Sequence, residues 1–334
     1  MEKSIDVLVA GEINPDLILT GDVIPSFGQV EKLVDSATLM IGSSSAIFAC
    51  GASRLGLKVA FVGICGDDVF GHFMLDEMKR LAVDVSAVQI APEVQTGLSV
   101  ILAKGNDRAI LTHKGATADL RAEDVTNDLL ARSHHLHVAS YFLQTGLQPD
   151  LPGLFQRAHA LGLSTSLDTN WDPAGEWRGL DVLLPNTDIF LPNEKEARAI
   201  STARTTGQAM KRLGKISKTV AIKRGGEGAL ACQGELTTSA CAIGGKVADT
   251  VGAGDTFDAG FIFGCLNGWS LERALWLGVV CGSLSTRAAG GTKAQPTLEE
   301  AMLYVPLRFR TKSALHRLRV QILYILGALA KPGR

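Results

Sequence analysis

Residues 249–257 are Asp-Thr-Val-Gly-Ala-Gly-Asp-Thr-Phe, and this stretch does most to decide the fold. Gly252, Ala253 and Gly254 carry almost no side chain and stand just before an apolar run that is typical of a buried helix. The backbone N–H groups at such a helix start, with the helix dipole behind them, favour a bound anion. Asp255 follows in the first turn, where it is a candidate base. An ordinary Gly-rich turn before a helix is the alternative.

Length, charge and cysteine usage narrow the class of protein. The chain has 334 residues, with 33 basic and 34 acidic side chains and 46% hydrophobic residues. It can therefore bury a large core, which excludes intrinsic disorder, and its near-neutral charge predicts no nucleic-acid partner. The first residues lack the apolar run of a signal peptide, and the cysteines form no C-x-x-C pair. We expect a cytoplasmic protein with no membrane partner.

Strands alternate with helices of about ten residues over most of the chain. Buried strands are predicted at 5–10, 135–140 and 164–168, and a helical segment is predicted at 151–160 between the last two. This alternation predicts an α/β fold with a mostly parallel central sheet and helices on both faces. Segments 17–40 and 94–113 lack the continuous apolar character of the core strands, and we predict that they form a small β lid.

The end of the chain differs in charge from the rest. Seven basic residues and no acidic residue follow Glu300, and an apolar stripe can be drawn along a helix there. We therefore predict one domain over residues 1–306 and a basic helical tail over 307–334. We expect this tail to dock on the acidic body of its own subunit, with a membrane surface or a partner chain as the alternative.

Further motifs follow one another in order along the chain. Gly-Glu-Ile-Asn-Pro-Asp occupies 11–16, Leu-Pro-Asn-Glu-Lys-Glu-Ala occupies 191–197, and Lys-Arg-Gly-Gly-Glu-Gly-Ala occupies 223–229. Together with the stretch at 249–257, they resemble the ribokinase-like (PfkB-type) carbohydrate kinases over roughly residues 5 to 300. Several ordered motifs in one chain are far more specific than any of them alone.

The resemblance implies a ribokinase-like three-layer fold and an ATP-dependent phosphotransferase that acts on a hydroxyl of a small sugar or sugar acid. It implies that Asp255 is the general base and that Gly252, Ala253 and Gly254 form the anion hole for the transferred phosphoryl group. Physical chemistry agrees, because phosphoryl transfer needs positioning and charge stabilisation, which aligned backbone N–H groups supply.

Two motifs are candidates for binding ATP and its metal ion. Asn193 and Glu196 form an N-x-x-E pair that is suited to water-mediated Mg²⁺, and a helix cap with a first-turn Glu is the alternative. Lys223 ends a predicted strand and precedes three glycines that resemble the family's nucleotide loop. The candidate residues of that loop are Lys223, Gly225, Gly226 and Gly228.

The sugar-binding candidates lie near the first strand. Asn14 and Asp16 resemble the family's ligands for sugar hydroxyl groups, and a solvated turn is the alternative. The family's first signature has a second Gly and an Asn where this chain has Ser43 and Ile47. This departure leaves the identity of the substrate open. The sugar-binding candidates in the stretch that takes the place of this signature are Gly42, Ser43 and Ser44.

Five more residues are candidates on weaker grounds. Arg108 lies in the predicted lid and could reach a substrate oxygen or remain a solvated hairpin residue. Asp168 and Asn170 follow a strand at the sheet edge where α/β proteins bind ligands. Asp249 and Val251 resemble the region where several family members hold K⁺, which makes K⁺ a candidate cofactor beside ATP and Mg²⁺.

Two other functions stay open at this point. A nucleoside kinase would need an aromatic pocket for the base, for which only Phe27 and Phe48 are candidates. A non-catalytic sugar or nucleotide sensor could use the same fold, but it would have no need for the base at Asp255. The exposed edges of the predicted lid also make a homodimer one option.

Overall fold

The computed structural model describes residues 3–105 and 107–309. Its strands are β1 (Ile5–Ala10), β2 (Pro15–Thr20), β3 (Ser36–Ile41), β4 (Val59–Val62), β5 (Ile64–Gly66), β6 (Gln89–Ala91), β7 (Leu98–Lys104), β8 (Asp107–His113), β9 (Ser133–Val138), β10 (Ser164–Leu167), β11 (Ile189–Phe190), β12 (Thr219–Lys223), β13 (Ala229–Gln233) and β14 (Leu236–Ala240). Eight of these strands form the central sheet, in the order β14-β13-β12-β11-β10-β9-β1-β4. Neighbours from β4 to β12 pair in parallel, whereas β13 and β14 are antiparallel additions at one edge.

The helices connect the strands and cover both faces of the central sheet. They are α1 (Ser44–Arg54), α2 (Val69–Arg80), α3 (Asn127–Ala131), α4 (Leu151–Ala160), α5 (Leu180–Leu183), α6 (Glu194–Ile200), α7 (Thr206–Leu213), α8 (Ala253–Leu266), α9 (Leu271–Ser285) and α10 (Leu298–Met302).

Side chains that alternate along β1 separate the two hydrophobic cores. Val7 and Val9 belong to the core that includes residues of α1, α2, α8, α9 and α10. Leu8 and Ala10 belong to the other core, which includes residues of α3 to α7. Successive side chains of a strand point to opposite faces, so one apolar strand serves both layers. The predicted three-layer α/β fold is confirmed.

A second sheet of four strands stands apart from the central one, in the order β3-β2-β7-β8. Its strands fall mainly within the segments in which the sequence predicts a lid, although β2 begins at Pro15. Residues 26–35 contain no strand, and Gly28 and Gln29 turn the chain there with φ values of 96° and 61°. Every residue of β8 is exposed.

The predicted basic tail lies almost wholly outside the described residues. Only Leu307–Phe309 of that segment is described, as a short 3₁₀ turn in which Arg308 forms an ion pair with Glu272. Over 3–105 and 107–309, no helix is both long enough and apolar enough to cross a membrane.

Candidate active site

The carboxyl ends of the parallel strands place several polar side chains along one edge of the central sheet. Asp168 follows β10, Glu196 lies in α6 after β11, and Lys223 ends β12. A cavity of about 620 Å³ lies beside them and reaches the first turn of α8. The predicted site residues that line this cavity are Asp168, Asn170, Asn193, Glu196, Lys223, Gly225, Gly226, Gly228, Ala253, Gly254 and Asp255.

The start of α8 explains why small residues precede Asp255. Gly252 caps the helix with φ of 71°, a conformation that glycine adopts without strain. A Cβ atom at Gly252 would lie 2.6 Å from the Cα atom of Gly291 and 2.9 Å from Cγ2 of Ile47, so a larger residue would force its neighbours apart. Ala253 and Gly254 line the cavity, whereas Gly252 packs against the neighbouring loop.

Asp255 is 8% exposed and stands among charged groups. Burial raises the pKa of its carboxyl to about 8, and the negative charges of Asp168 and Glu12 add to that effect. The ammonium of Lys223 and a hydrogen bond with Ser44 oppose it. A carboxyl that titrates near neutral pH is well matched to accepting a proton from a hydroxyl group.

Lys223 forms a buried ion cluster rather than an exposed loop contact. Its Nζ atom lies 2.7 Å from Oδ2 of Asp168 and 2.9 Å from Oδ2 of Asp258. Burial alone would lower the pKa of Lys223, but the two carboxyl groups raise it above its usual range. Burial raises the pKa of Asp258, whereas the Lys223 ammonium overcomes burial at Asp168 and lowers its pKa. Lys223 and Asp168 thus stabilise each other's charged forms, whereas burial disfavours the ionised form of Asp258.

Asp258 was not among the candidates from the sequence. It stands three residues after Asp255 in α8, a spacing that places both side chains on one side of a helix. A carboxyl in a helix that is otherwise almost entirely apolar was the signal that could have identified it.

Asn193 and Glu196 form a capping box at the start of α6. Asn193 accepts a hydrogen bond from the Glu196 backbone N–H at 3.0 Å, and Glu196 Oε2 accepts one from the Asn193 backbone N–H at 2.8 Å. Burial raises the pKa of Glu196 to about 7. Both residues also line the cavity, so the cap holds a carboxylate and an amide where a hydrated Mg²⁺ ion would find oxygen ligands.

The glycines after β12 differ in what they do. Gly228 has φ of 89°, and a Cβ atom there would collide with the Ala240 carbonyl oxygen. No atom lies within 4 Å of a Cβ built on Gly225 or Gly226, so this part of the loop is open toward the cavity. Gly228 thus allows close packing of the hairpin, and the other two glycines leave the loop accessible.

Asn14 and Asp16 lie outside the cavity, where Asn14 directly precedes β2 and Asp16 belongs to it. Each is 9% exposed. A Cβ atom at Gly42 would collide with the Asp16 carboxylate, which explains the glycine at that position. Burial raises the pKa of Asp16 to about 7, although the charge of Arg108 on β8 opposes this rise. The negative charge of Asp249 adds to the rise in the pKa of Asp16.

The three serines after Gly42 have separate partners. Ser43 caps α1, because its Oγ atom accepts from the Ala46 backbone N–H at 3.0 Å and donates to the Glu12 carbonyl at 2.6 Å. Ser45 Oγ donates to Glu12 Oε2 at 2.5 Å. Ser44 Oγ lies 2.6 Å from Asn170 Nδ2. Glu12 is only 2% exposed, and the sequence analysis missed its role although it stands in the 11–16 motif.

Asp249 joins two loops near the start of α8. Its Oδ1 atom accepts from the Val251 backbone N–H, and its Oδ2 atom accepts from the Gly290 backbone N–H, both at 3.0 Å. The Asp249 N–H donates to the Thr286 carbonyl at 3.2 Å. The predicted cation-binding residues are therefore next to the loop that follows α9.

Two histidines occupy the buried part of β9. The ring nitrogens of His135 lie 2.7 Å from Ser164 Oγ and from Ser166 Oγ, and His137 Nδ1 lies 2.7 Å from the same Ser166 hydroxyl. The ring of His137 stacks on Phe48 with 3.7 Å between ring centroids. Burial lowers the pKa of His135 to about 4 and that of His137 to about 3, so both rings are neutral.

Comparisons with known proteins agree with this fold. The sequence profile described as pfkB family carbohydrate kinase matches residues 4–298. A 2-dehydro-3-deoxygluconokinase of Bacillus subtilis is 30% identical, over 82% of this chain and 89% of its own length.

Two solved structures are similar to this chain. Arabidopsis thaliana ribokinase, complexed with ribose and ATP, has a TM-score of 0.79 and 22% identity over 90% of this chain and 98% of its own. Adenosine kinase from Sinorhizobium meliloti has a TM-score of 0.76 and 25% identity over 86% of this chain and 95% of its own.

Proposed function

This chain belongs to the pfkB family of carbohydrate kinases, and we propose that it transfers the terminal phosphoryl group of ATP to a hydroxyl group of a small sugar or sugar acid. The observation that carries the proposal is the position of Asp255. Its buried carboxyl titrates near neutral pH, stands in the first turn of α8, and lines the large cavity at the sheet edge. In this proposal Asp255 takes the proton of the attacking hydroxyl as the phosphoryl group arrives.

The cavity would hold ATP. Gly225 and Gly226 are open toward it and let phosphate oxygens approach the backbone, and Gly252, Ala253 and Gly254 would form the anion hole. Apolar side chains that suit an adenine ring also line the cavity. These side chains are Ile243, Val247, Phe257, Val279, Leu284 and Tyr304.

Mg²⁺ fits the oxygen groups of Glu196 and Asn193, which would hold it through water molecules while it offsets phosphate charge. The proposed K⁺ site is at Asp249 and Val251. The Asp249 carboxylate accepts hydrogen bonds from the backbone N–H groups of Val251 and Gly290, so it joins the loop before α8 to the loop after α9.

The sugar would bind beside the second sheet. The Asp16 carboxylate can accept hydrogen bonds from two vicinal hydroxyl groups, and Asn14 and the segment Gly42 to Ser44 lie next to it. Arg108 adds a positive charge near Asp16, which would suit an acidic sugar. The similarity to a 2-dehydro-3-deoxygluconokinase supports a sugar acid as the first substrate to test.

The second sheet, formed by β2, β3, β7 and β8, would act as the lid. It has an exposed outer strand, and closing it over the sugar would exclude water that could otherwise hydrolyse ATP. Hydrogen exchange should decrease in residues 17–40 and 94–113 when the substrate binds. If neither segment gains protection, the lid proposal is wrong. A homodimer through β8 is a separate proposal, which sedimentation at several protein concentrations tests.

The similarity to an adenosine kinase keeps a nucleoside kinase as a second candidate. The aromatic residues named from the sequence give it little support. Phe48 is fully buried and stacks on His137, so it cannot receive a base. Phe27 is 96% exposed, so it would have to pack against another part of the protein before it could form a pocket for a nucleobase.

The experiment for the proposed function is a substrate panel. Purified protein, ATP and Mg²⁺ are mixed with 2-dehydro-3-deoxygluconate, ribose, fructose and adenosine, and ADP release is measured with the Asp255→Asn variant as control. Release with a sugar or sugar acid, absent in the variant, is the expected result. Release with adenosine alone would favour the nucleoside kinase, and no release above the variant with any compound would overturn the proposal.

A further inference from the structure

Glu12 follows β1 and carries a buried carboxyl group that does not line the large cavity. Both of its oxygen atoms accept hydrogen bonds. The Ser140 hydroxyl donates to Oε1 at 2.8 Å, and the Ser45 hydroxyl donates to Oε2 at 2.5 Å. The backbone N–H of Ser45 also donates to Oε1, at 3.3 Å. The carboxyl group therefore joins the end of β1 to the loop after β9 and to the start of α1.

The main chain near Glu12 shows the same connection. A Cβ atom at Gly42 would lie 2.7 Å from the Asn14 carbonyl oxygen and 2.3 Å from Asp16 Oδ1, so these two segments are in close contact. The Ser43 hydroxyl donates to the Glu12 carbonyl oxygen at 2.6 Å. Glu12 therefore ties the segment that carries Asn14 and Asp16 to the segment before α1, through its carbonyl group and through its carboxyl group.

Gly11 leaves the room that this contact needs. A Cβ atom at Gly11 would lie 2.1 Å from Ser45 Oγ and 2.3 Å from Ser45 Cβ, so a larger residue would push Ser45 away from Glu12. Ser45 is fully buried. Its hydroxyl group therefore serves the fold around Glu12 rather than a ligand that enters from solvent.

Three residues near Glu12 have backbone conformations that are uncommon outside glycine. The φ angle is 63° at Ser43, 51° at Ser140 and 52° at Asn170. Ser43 and Ser140 both donate to Glu12, and Asn170 Nδ2 donates to Ser140 Oγ at 3.0 Å. Such conformations persist where the surrounding contacts enforce them, and they are frequent at functional sites. The hydrogen bonds to Glu12 are contacts of this kind.

We infer that Glu12 is a positioning residue for the proposed sugar site, because its carboxyl group fixes the segment at 42–44 against the segment that carries Asp16. The inference rests on the proposed function, which places the sugar beside Asp16. Glu12 bonds within the protein, so it acts through Ser45 and not through contact with the sugar. A site that is held in this way exists before the sugar arrives, which lowers the ordering cost of binding.

Glu12→Gln tests the carboxyl group with almost no change in volume. Both oxygen atoms accept hydrogen bonds, whereas an amide nitrogen cannot accept, so at least one donor loses its partner. Ser45→Ala removes the hydroxyl on the other side of the same contact and leaves the Ser43 cap of α1 in place. Ser53→Ala is the matched control, because its hydroxyl donates to the Ala82 carbonyl near the far end of α1.

Hydrogen exchange of the protein without substrate is the first measurement. Backbone amides at 42–47 should exchange at least about tenfold faster in Glu12→Gln and in Ser45→Ala, because the contact that holds this segment is lost. Amides of α6 at 194–200 should match wild type in both variants, and Ser53→Ala should match it at 42–47. Thermal melting establishes that each variant is folded, and Ser45→Ala carries the test if Glu12→Gln does not fold.

Steady-state kinetics with the best sugar from the panel is the second measurement. The KM of the sugar should rise about tenfold in Glu12→Gln and in Ser45→Ala, and the KM of ATP should stay within about twofold of wild type. The double variant should exceed the larger single effect by no more than about twofold, because both changes break the same contact. A purely structural role would lower the melting temperature without this separation of the two KM values.

Three results would overturn the inference. Exchange at 42–47 could stay at the wild-type rate in both variants, the KM of the sugar could stay unchanged in folded Glu12→Gln, or the KM values of sugar and ATP could rise equally. The exchange measurement needs no substrate, so it decides whether Glu12 fixes this segment even if the panel finds no turnover. A panel without turnover would overturn the proposed function instead.

Discussion

The proposed nucleotide half of the site is built from the central sheet, whereas the proposed sugar half is built around the second sheet. The nucleotide half comprises Glu196, Lys223 and the loop at 225–228, all at the ends of buried parallel strands. The sugar half comprises Asp16 and Arg108 of the second sheet, whose outer strand is exposed, and the neighbouring Asn14 and Gly42. The difference suggests that ATP meets a rigid surface and that the sugar meets one that can move. Changes in one half should therefore leave the other half intact.

The largest effect is expected from Lys223→Met in the nucleotide half. It removes the ammonium that pairs with buried Asp168 and leaves that charge without a partner. The free energy of unfolding should fall by about 3–5 kcal/mol, measured by urea denaturation. The exposed Lys195→Met is the control and should change it by less than about 0.5 kcal/mol. Equal stability of the two variants would mean that the buried ion cluster does not form.

Asp16→Ala tests whether the sugar half is separate. Its proposed hydrogen bonds are to sugar hydroxyl groups, so kcat/KM for the sugar should fall roughly 30-fold or more. This decrease corresponds to a loss of about 2–3 kcal/mol of binding free energy. The KM for ATP should stay within about twofold of wild type. Asp22→Ala, in the exposed turn after β2, is the control for a change near the same sheet. Equal effects on both substrates would contradict the division into two halves.

The core strand β9 gives a test that depends on pH. His135 and His137 are neutral in the folded protein, whereas in the unfolded chain histidines bind protons below about pH 6.5. The two histidines therefore favour unfolding increasingly as the pH drops from about 6.5 toward 4, whereas the buried carboxyl groups of Asp16, Glu196 and Asp255 act in the opposite direction. At pH 5, His137→Gln should remove about 2 kcal/mol of the destabilisation by the histidines. Urea denaturation of wild type and His137→Gln at pH 7 and pH 5 measures how the free energy of unfolding changes with pH. The same change in both proteins would contradict the neutral state of His137.

Glu196→Gln is expected to have the smallest effect and to stay within the nucleotide half. Glutamine can keep the capping box with Asn193, so the helix start should remain while the negative charge is lost. The Mg²⁺ concentration for half-maximal activity should rise about tenfold, which corresponds to about 1.4 kcal/mol. The KM for the sugar should not change. A variant with wild-type Mg²⁺ dependence would show that Glu196 is only a cap.

The two halves also differ in how far the sequence predicts them. The central sheet and the nucleotide half follow from periodicity and from local motifs, such as the N-x-x-E pair and the glycines after β12. The structure adds contacts between residues that are far apart in the chain, which spacing cannot reveal. Lys223 and Asp168 are 55 positions apart, and Ser140 and Glu12 are 128 positions apart.

The sugar half contains the residues at which this chain departs from the family's first signature, and the sequence predicted their contacts least well. Ser43 and Ile47 stand where the family's first signature has Gly and Asn, and the partners of the serines at 43–45 became visible only in the folded chain. Ser45 and Ser43 bind Glu12, and Ser44 bonds with Asn170. A local motif predicts which residues are present, but the direction of a hydrogen bond depends on which elements pack together.

The most direct test of the central claim is the turnover of Asp255→Asn with the best substrate from the panel. Asparagine keeps the volume of the side chain and removes the proton acceptor, so kcat should fall by at least about 100-fold. ATP binding, measured by calorimetry in the presence of Mg²⁺, should stay within about twofold of wild type, because the cavity keeps its other lining residues. A variant that retains more than about a tenth of wild-type kcat would contradict the assignment of Asp255 as the base.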